Sequence, residues 1–194
     1  PPAAADAGSA AIRAGKTRYP PNAGISELRE AMAMSLSRMS NDRAIDPAQI
    51  VVSSGSKQAL FNACFSLFGP GDEVLIPSPA WVSYPQIVHL ARATPVAVSG
   101  DPEWGLKVSV DDLERRRTPH VKGLVICSPC NPTGAVYTHA ELRAISQWAV
   151  DHGIWLISDE IYRRIYYGDG PAPSLFDLDA AALDRGVVII GASK

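Results

Sequence analysis

Short continuous apolar runs alternate along the chain with longer stretches in which apolar residues recur every three or four positions. Glu73 to Pro77, Ala93 to Val98, Gly123 to Cys127, Ile154 to Ile157 and Val187 to Ile190 are runs of the first kind, bounded by Gly, Pro or Asp. Runs of this length and setting read as buried strands. Ile50-Val51-Val52-Ser53 has the same composition and is expected as one more. Ser26 to Ser40 is of the second kind, with Leu28, Met32, Leu36 and Met39 on one helical face. Ala3 to Ala14 reads as a helix closed by Gly15, and Val110 to Arg117 as a short helix. Thr138 followed by Glu141 forms a capping box for a helix to about His152, stopped by Gly153. Further helices are expected from Pro79, with Trp81 near the first turn, from Glu160, carrying Tyr162, and over Leu178 to Leu183. Strand-helix alternation without an internal repeat predicts an α/β fold, a mostly parallel doubly wound sheet with helices on both faces, as one unit over residues 1–194.

Composition narrows the field. The 194 residues are 46% hydrophobic and 20% charged with a formal charge of −2, which suits a globular chain able to bury a substantial core. Arg115-Arg116-Arg117 is a solvated end to a helix and leaves no footprint for nucleic acid. No apolar span is long enough for a bilayer, and three cysteines, an odd number, favour a reducing, cytoplasmic compartment. Cys127-Ser128-Pro129-Cys130 has the spacing of a redox or metal pair, but without a second pair or a suitably spaced His no metal site is expected. Cys130 would lie close to a bound cofactor and be oxidation-sensitive. The four histidines have no evident partner and receive no role.

The chemistry gathers at strand ends. Asp159 closes the run that begins at Ile154, and in an open α/β sheet ligands lie outside the carboxyl ends of the strands. Taken alone it could equally cap the helix expected after it. Asn131-Pro132-Thr133-Gly134 follows a second strand, and Lys194 follows a third through Gly191-Ala192-Ser193. An amide, an acid and an amine at neighbouring strand ends are the set that holds pyridoxal phosphate: a donor to the ring hydroxyl, a carboxylate for the ring nitrogen, and a lysine for the aldehyde. Ser53-Ser54-Gly55-Ser56-Lys57 adds a small-residue turn into a helix, whose unpaired N–H groups suit a phosphate.

On these residues, and on Pro79-Ala80-Trp81-Val82-Ser83-Tyr84-Pro85, the chain resembles the class I, fold type I aminotransferases, and among them the bacterial aspartate aminotransferase group. The resemblance runs from end to end. It implies that Gly55, Ser56 and Lys57 grip the cofactor phosphate, that Trp81 lies flat on the pyridine ring, and that Asn131 and Tyr162 donate to the ring oxygen. It further implies that Asp159 pairs with the ring nitrogen, that Lys194 is the covalent and catalytic lysine, and that Tyr19 reaches the partner subunit's phosphate in a homodimer. Lys57, with Trp81 and Asn131, would recognise substrate, and a lysine at that position favours an acidic amino acid. Gly191 stands where many members carry a phosphate-binding hydroxyl. The family's length implies that this is the core of the large domain, with an N-terminal arm and C-terminal domain outside it. The implied reaction is amino-group transfer between an amino acid, aspartate first, and a 2-oxo acid. An aspartate/prephenate enzyme, a lyase on the same fold and a non-catalytic sensor domain are the alternatives.

Overall fold

In the computed structural model, which describes residues 1–40 and 43–194, five strands form one parallel sheet. They are β1 (Glu73–Ser78), β2 (Thr94–Ser99), β3 (Val121–Cys127), β4 (Trp155–Asp159) and β5 (Gly186–Ile189), in the spatial order β2-β1-β3-β4-β5. The helices are α1 (Pro2–Arg13), α2 (Ser26–Met39), α3 (Ser56–Leu67), α4 (Ser83–Leu90), α5 (Val110–Arg116) and α6 (His139–Asp151). Parallel neighbours cannot be joined by a tight turn, so α4, α5 and α6 serve as the crossovers.

Residue parity along each strand decides what faces what. Leu75, Leu124, Ile126 and Leu156 point to one side and pack with Leu113 of α5 and Leu142, Ile145 and Trp148 of α6. Val74, Ile76, Val125, Cys127 and Ile157 point to the other and pack with Leu60 and Cys64 of α3 and Tyr84, Ile87 and Val88 of α4. Asp159 shares the parity of Ile157, so the strand delivers its carboxylate to the α3/α4 side.

The boundaries of α1, α2, α5 and α6 fall within a residue or two of expectation, and the expected capping box of Thr138 with Glu141 forms; Ser109 with Asp112 forms one that was not expected. Four expectations are corrected. Ile50 to Ser53 is extended but joins no ladder, because its polar groups are used elsewhere: Val52 N–H donates to Ala23 O at 2.9 Å, and Arg29 Nε donates to Ile50 O at 3.0 Å. The helix expected from Pro79 starts only at Ser83, with Trp81 ahead of it, where Tyr84 N–H closes a turn on Trp81 O at 3.1 Å. Pro85 then falls in the first turn, where its missing N–H costs nothing.

After Asp159 there is no helix but a turn, with Arg163 N–H on Glu160 O at 3.0 Å and Ile165 N–H on Tyr162 O at 2.8 Å. Buried charges hold it in that form. Glu160 accepts from Ser158 Oγ, Ser174 Oγ and Leu175 N–H, while the Arg163 guanidinium turns inward to Ala172 O, Met39 O and Asp177. Leu178 to Leu183 reduces to a single 3-10 turn at Ala181–Leu183. Two histidines also have partners that the sequence did not reveal, Asp177 for His139 at 3.0 Å and Glu114 for His152 at 3.4 Å.

Gly123 is where β3 needs the absence of a side chain, since an added Cβ would lie 2.3 Å from Cζ of the buried Phe68 ring. Gly123→Ala is expected to destabilise the fold by about 1–3 kcal/mol, the usual cost of overpacking. Urea denaturation checks this; an unchanged midpoint would show that the ring can move aside.

Candidate active site

The strand order reverses direction between β1 and β3, since β2 lies on one side of β1 and β3, β4 and β5 follow on the other. The crevice outside the carboxyl ends of the strands at such a reversal is where open α/β sheets bind ligands. Here a small cavity of about 20 Å³ is lined by Pro77 of β1 with Pro79, Ala80 and Tyr84 after it, and by Cys127 of β3 with Cys130, Thr133 and Tyr137 after it. Asp159 ends the adjacent strand, paired in register with Cys127.

Asp159 is 3% exposed, and its carboxylate accepts from Tyr84 Oη at 2.7 Å and from Ile161 N–H at 3.2 Å. Burial raises its pKa above the ordinary carboxylate value, and those two hydrogen bonds only partly oppose the shift. Tyr84 is itself pushed up by burial and by the Asp159 charge, so it remains a protonated donor. Of the two readings of Asp159 left open by the sequence, the cap is present in altered form, on the turn at Ile161 and not on a helix. Its other oxygen accepts from the neutral Tyr84 hydroxyl, with no cation beside it among the described residues.

The remaining residues assemble around this pair. Trp81 meets Tyr84 edge to face at 5.4 Å, and the Lys57 ammonium stands 5.0 Å from the centre of the Trp81 ring. Tyr162 and Cys130 pack against the same apolar cluster as Trp81, and Asn131 follows directly after Cys130. Gly55 caps α3 with φ of 89°, a left-handed value open to glycine, and no atom lies within 4 Å of where its Cβ would be. Ala59 N–H makes the first bond of α3, to Gly55 O, so the N–H groups of Ser56, Lys57 and Gln58 lie at an open helix N-terminus. Lys57, Trp81, Tyr84 and Asp159 are thus linked in one chain of contacts. Lys194 is exposed beyond β5, and Tyr19 stands fully exposed after α1; no contact within the described residues ties either to Asp159.

Sequence reasoning missed Tyr84. Its signal was present, since it sits three residues after Trp81 in the motif singled out for the tryptophan. The Glu160 and Arg163 contacts were missed as well, because nothing in the local sequence shows that two charged side chains three residues apart turn inward. At Gly191 the structure supplies a packing reason for glycine: a Cβ there would lie 2.3 Å from Cδ1 of Ile161 in the turn after Asp159.

The donor set fits pyridoxal phosphate. A buried carboxylate lacking a cation, an aromatic face beside it, and a helix N-terminus cradled by glycine suit a protonated pyridine, its ring and its phosphate respectively.

Comparison with known proteins agrees. The profile of the family described as aminotransferase class I and II matches residues 1–194. An aspartate aminotransferase from Streptomyces avermitilis is 41% identical over 177 residues, covering 91% of this chain and 43% of that protein. An aspartate/prephenate aminotransferase from Thermus thermophilus is 45% identical over 162 residues, 84% of this chain and 42% of that protein. The solved structure of aspartate aminotransferase from Thermus thermophilus with maleate superposes with a TM-score of 0.90 at 41% identity, covering 97% of this chain and 48% of that one. The chain belongs to the class I and II aminotransferase family. It spans about half the length of the relatives it matches. Class I aminotransferases are pyridoxal-phosphate enzymes.

Tyr84→Phe is expected to destabilise the protein by about 1–3 kcal/mol by leaving a buried carboxylate oxygen unpaired. It should also move the Asp159 pKa further up, because the lost bond opposed the upward shift. With its folded pKa above the unfolded one, Asp159 favours the fold below the unfolded pKa, and that contribution is lost as pH rises through the folded value. The variant should therefore lose more stability than the parent on the alkaline side of this window. Carboxylate NMR titration and denaturation at several pH values measure both effects; an unshifted Asp159 would contradict the geometry.

Proposed function

We propose that this chain carries the cofactor site of a pyridoxal-phosphate-dependent aminotransferase that moves an amino group from aspartate, or a similar acidic amino acid, to 2-oxoglutarate. The observation that carries the reading is the buried Asp159 carboxylate, hydrogen-bonded by Tyr84 yet paired with no cation among the described residues. A protonated ring nitrogen placed there would offset the desolvation that raises its pKa. When bound, the cofactor supplies an aldehyde for the amino acid and an electron-accepting ring for the Cα carbanion.

The chain's own residues do the rest. Asp159 holds the proton on the ring nitrogen, and Tyr84 keeps Asp159 aimed. Asn131 and Tyr162 hold the ring oxygen, Trp81 fixes the plane of the ring, and Gly55, Ser56 and Lys57 hold the phosphate through the N-terminus of α3. Lys194 would hold the aldehyde carbon and, as a free amine, would remove the proton from substrate Cα. Tyr19 reaches the phosphate of a second copy in a cytoplasmic homodimer. The Lys57 ammonium, over the Trp81 ring at 5.0 Å, receives the distal carboxylate of the substrate. In support, the similar Thermus structure is named as a complex with maleate, a dicarboxylate. A second reading, in which prephenate is the amino acceptor, is favoured by the name of the aspartate/prephenate relative.

Amino-group transfer from aspartate to 2-oxoglutarate and to prephenate tests the assignment. Lys57→Met should lower kcat/KM for aspartate about 10- to 100-fold, the worth of one charge-assisted hydrogen bond, with a smaller effect on alanine. Lys194→Ala should abolish turnover and the labelling of the protein by pyridoxal phosphate with borohydride. Labelling that persists in Lys194→Ala would sink the lysine assignment; equal losses for aspartate and alanine would sink the role of Lys57.

A further inference from the structure

Two thiols sit at the switch point and the proposed reaction uses neither. Cys127 ends β3 opposite Asp159; its thiol is buried and donates to Pro129 O at 3.3 Å. Cys130, three residues on, is only half-buried. Its backbone closes the turn that carries Asn131, with Cys130 N–H on Ala135 O at 2.9 Å and Gly134 N–H on Cys130 O at 2.7 Å. Both thiols line one cavity of about 20 Å³, together with Tyr84, Thr133 and Tyr137, with space for about one water molecule.

The pair is chemically unequal. The Cys127 thiol beside it, and then Thr133, hold Cys130 below the ordinary thiol pKa against the effect of burial. Cys127 is pushed well above by Cys130 and by burial. Cys64, the third cysteine, lies buried in α3 with its thiol raised to about 11, and serves as an internal reference. A reactive, reachable thiolate next to a shielded thiol is the arrangement of an attacking and a resolving cysteine.

We propose that Cys130 and Cys127 form a reversible disulfide in response to hydroperoxides, and that its formation withdraws Asn131 from the cofactor ring. The Cys130 thiolate attacks one peroxide oxygen; the O–O bond breaks, an S–O bond forms, and the other oxygen leaves as alcohol or, from hydrogen peroxide, as water. Cys127 gives up its proton and its sulfur attacks the Cys130 sulfur, so that an S–S bond forms, the S–O bond breaks and water leaves. The two cysteines together lose two electrons and the peroxide gains them; a dithiol reverses the change. A disulfide fixes the two Cβ atoms about 3.8 Å apart; in this proposal closing it repositions Cys130, and the turn held by its bonds to Ala135 and Gly134 carries Asn131 with it. The cross-link stands independently of the proposed function, whereas the effect on Asn131 rests on it.

Peroxide treatment of the purified protein, followed by non-reducing peptide mapping, reads the first half. The expected result is a Cys127–Cys130 cross-linked peptide lighter by two hydrogens, lost on adding dithiothreitol and absent from Cys127→Ser and Cys130→Ser, with Cys64 still reduced. Iodoacetamide should label Cys130 at least about tenfold faster than Cys64 at neutral pH, the rate rising with pH through a midpoint below that of an ordinary thiol. Uncross-linked Cys130 sulfinate, or no oxidation, overturns the proposal. Titration with pyridoxal phosphate reads the second half. Oxidised protein should bind it about tenfold more weakly, the worth of a hydrogen bond, with no peroxide-induced change in Cys127→Ser. A cross-link that leaves affinity unchanged overturns the withdrawal of Asn131. A cross-link in protein that binds no pyridoxal phosphate at all overturns the functional reading and the Asn131 effect, while the disulfide stands.

Discussion

A carboxylate removed from water at the end of a parallel strand is the constraint around which this structure is arranged. Leaving an ion of that size in the interior costs several kcal/mol unless it is paired or hydrogen-bonded. Tyr84 and the Ile161 N–H meet only part of that need, and no cation among the described residues completes it. The residual demand for a positive partner is what the proposed role of Asp159 as a binding group rests on, where a fully satisfied carboxylate would be only a cap. Tyr84 in turn depends on α4, whose first turn is fixed by Trp81, so the ring that would contact the cofactor and the hydroxyl that holds its counter-charge move together.

The sheet and the turn behind it make that placement rigid. Parity along β3 and β4 sends Cys127 and Asp159 to the face covered by α3 and α4, and the order β2-β1-β3-β4-β5 opens the crevice at that spot. Behind it, Glu160 and Arg163 use buried charges to bind the turn after Asp159 to the segments at Met39, Ala172 and Ser174. Glu160 and Arg163, three residues apart, could share one face of a helix; their bonds to Ser174, Leu175, Ala172 and Met39 hold the turn instead. Here long-range electrostatics outweigh local helix propensity, and Tyr162 is positioned by a turn as a consequence.

Most of the architecture was legible because it rests on periodicity. Five of the six expected strands, the helix at the Thr138 capping box and the α/β class follow from patterns a few residues long. Where expectation failed, the deciding partner lay far away in sequence. Ile50 to Ser53 has the composition of a strand but its carbonyl is taken by Arg29, and Glu160 reads as a helix start until Ser174 and Leu175 are brought to it. Asp159, Lys57 and Trp81 could be named from their motifs; Tyr84 lies in the Trp81 motif, but the partner of its hydroxyl, Asp159, is 75 residues away and shows only in the fold. Gly191 had looked like a lost phosphate contact, and the structure shows it lying against Ile161.

The central claim is that Asp159 keeps a pyridine nitrogen protonated. Its most direct test is the NMR chemical shift of the isotope-labelled ring nitrogen of pyridoxal phosphate bound to the protein, followed from neutral to alkaline pH and compared with Asp159→Asn. A nitrogen that stays protonated well above the pH at which the free ring loses its proton, and that becomes neutral in the variant, is the predicted result. A neutral nitrogen in the parent protein, or one indifferent to the substitution, would contradict it.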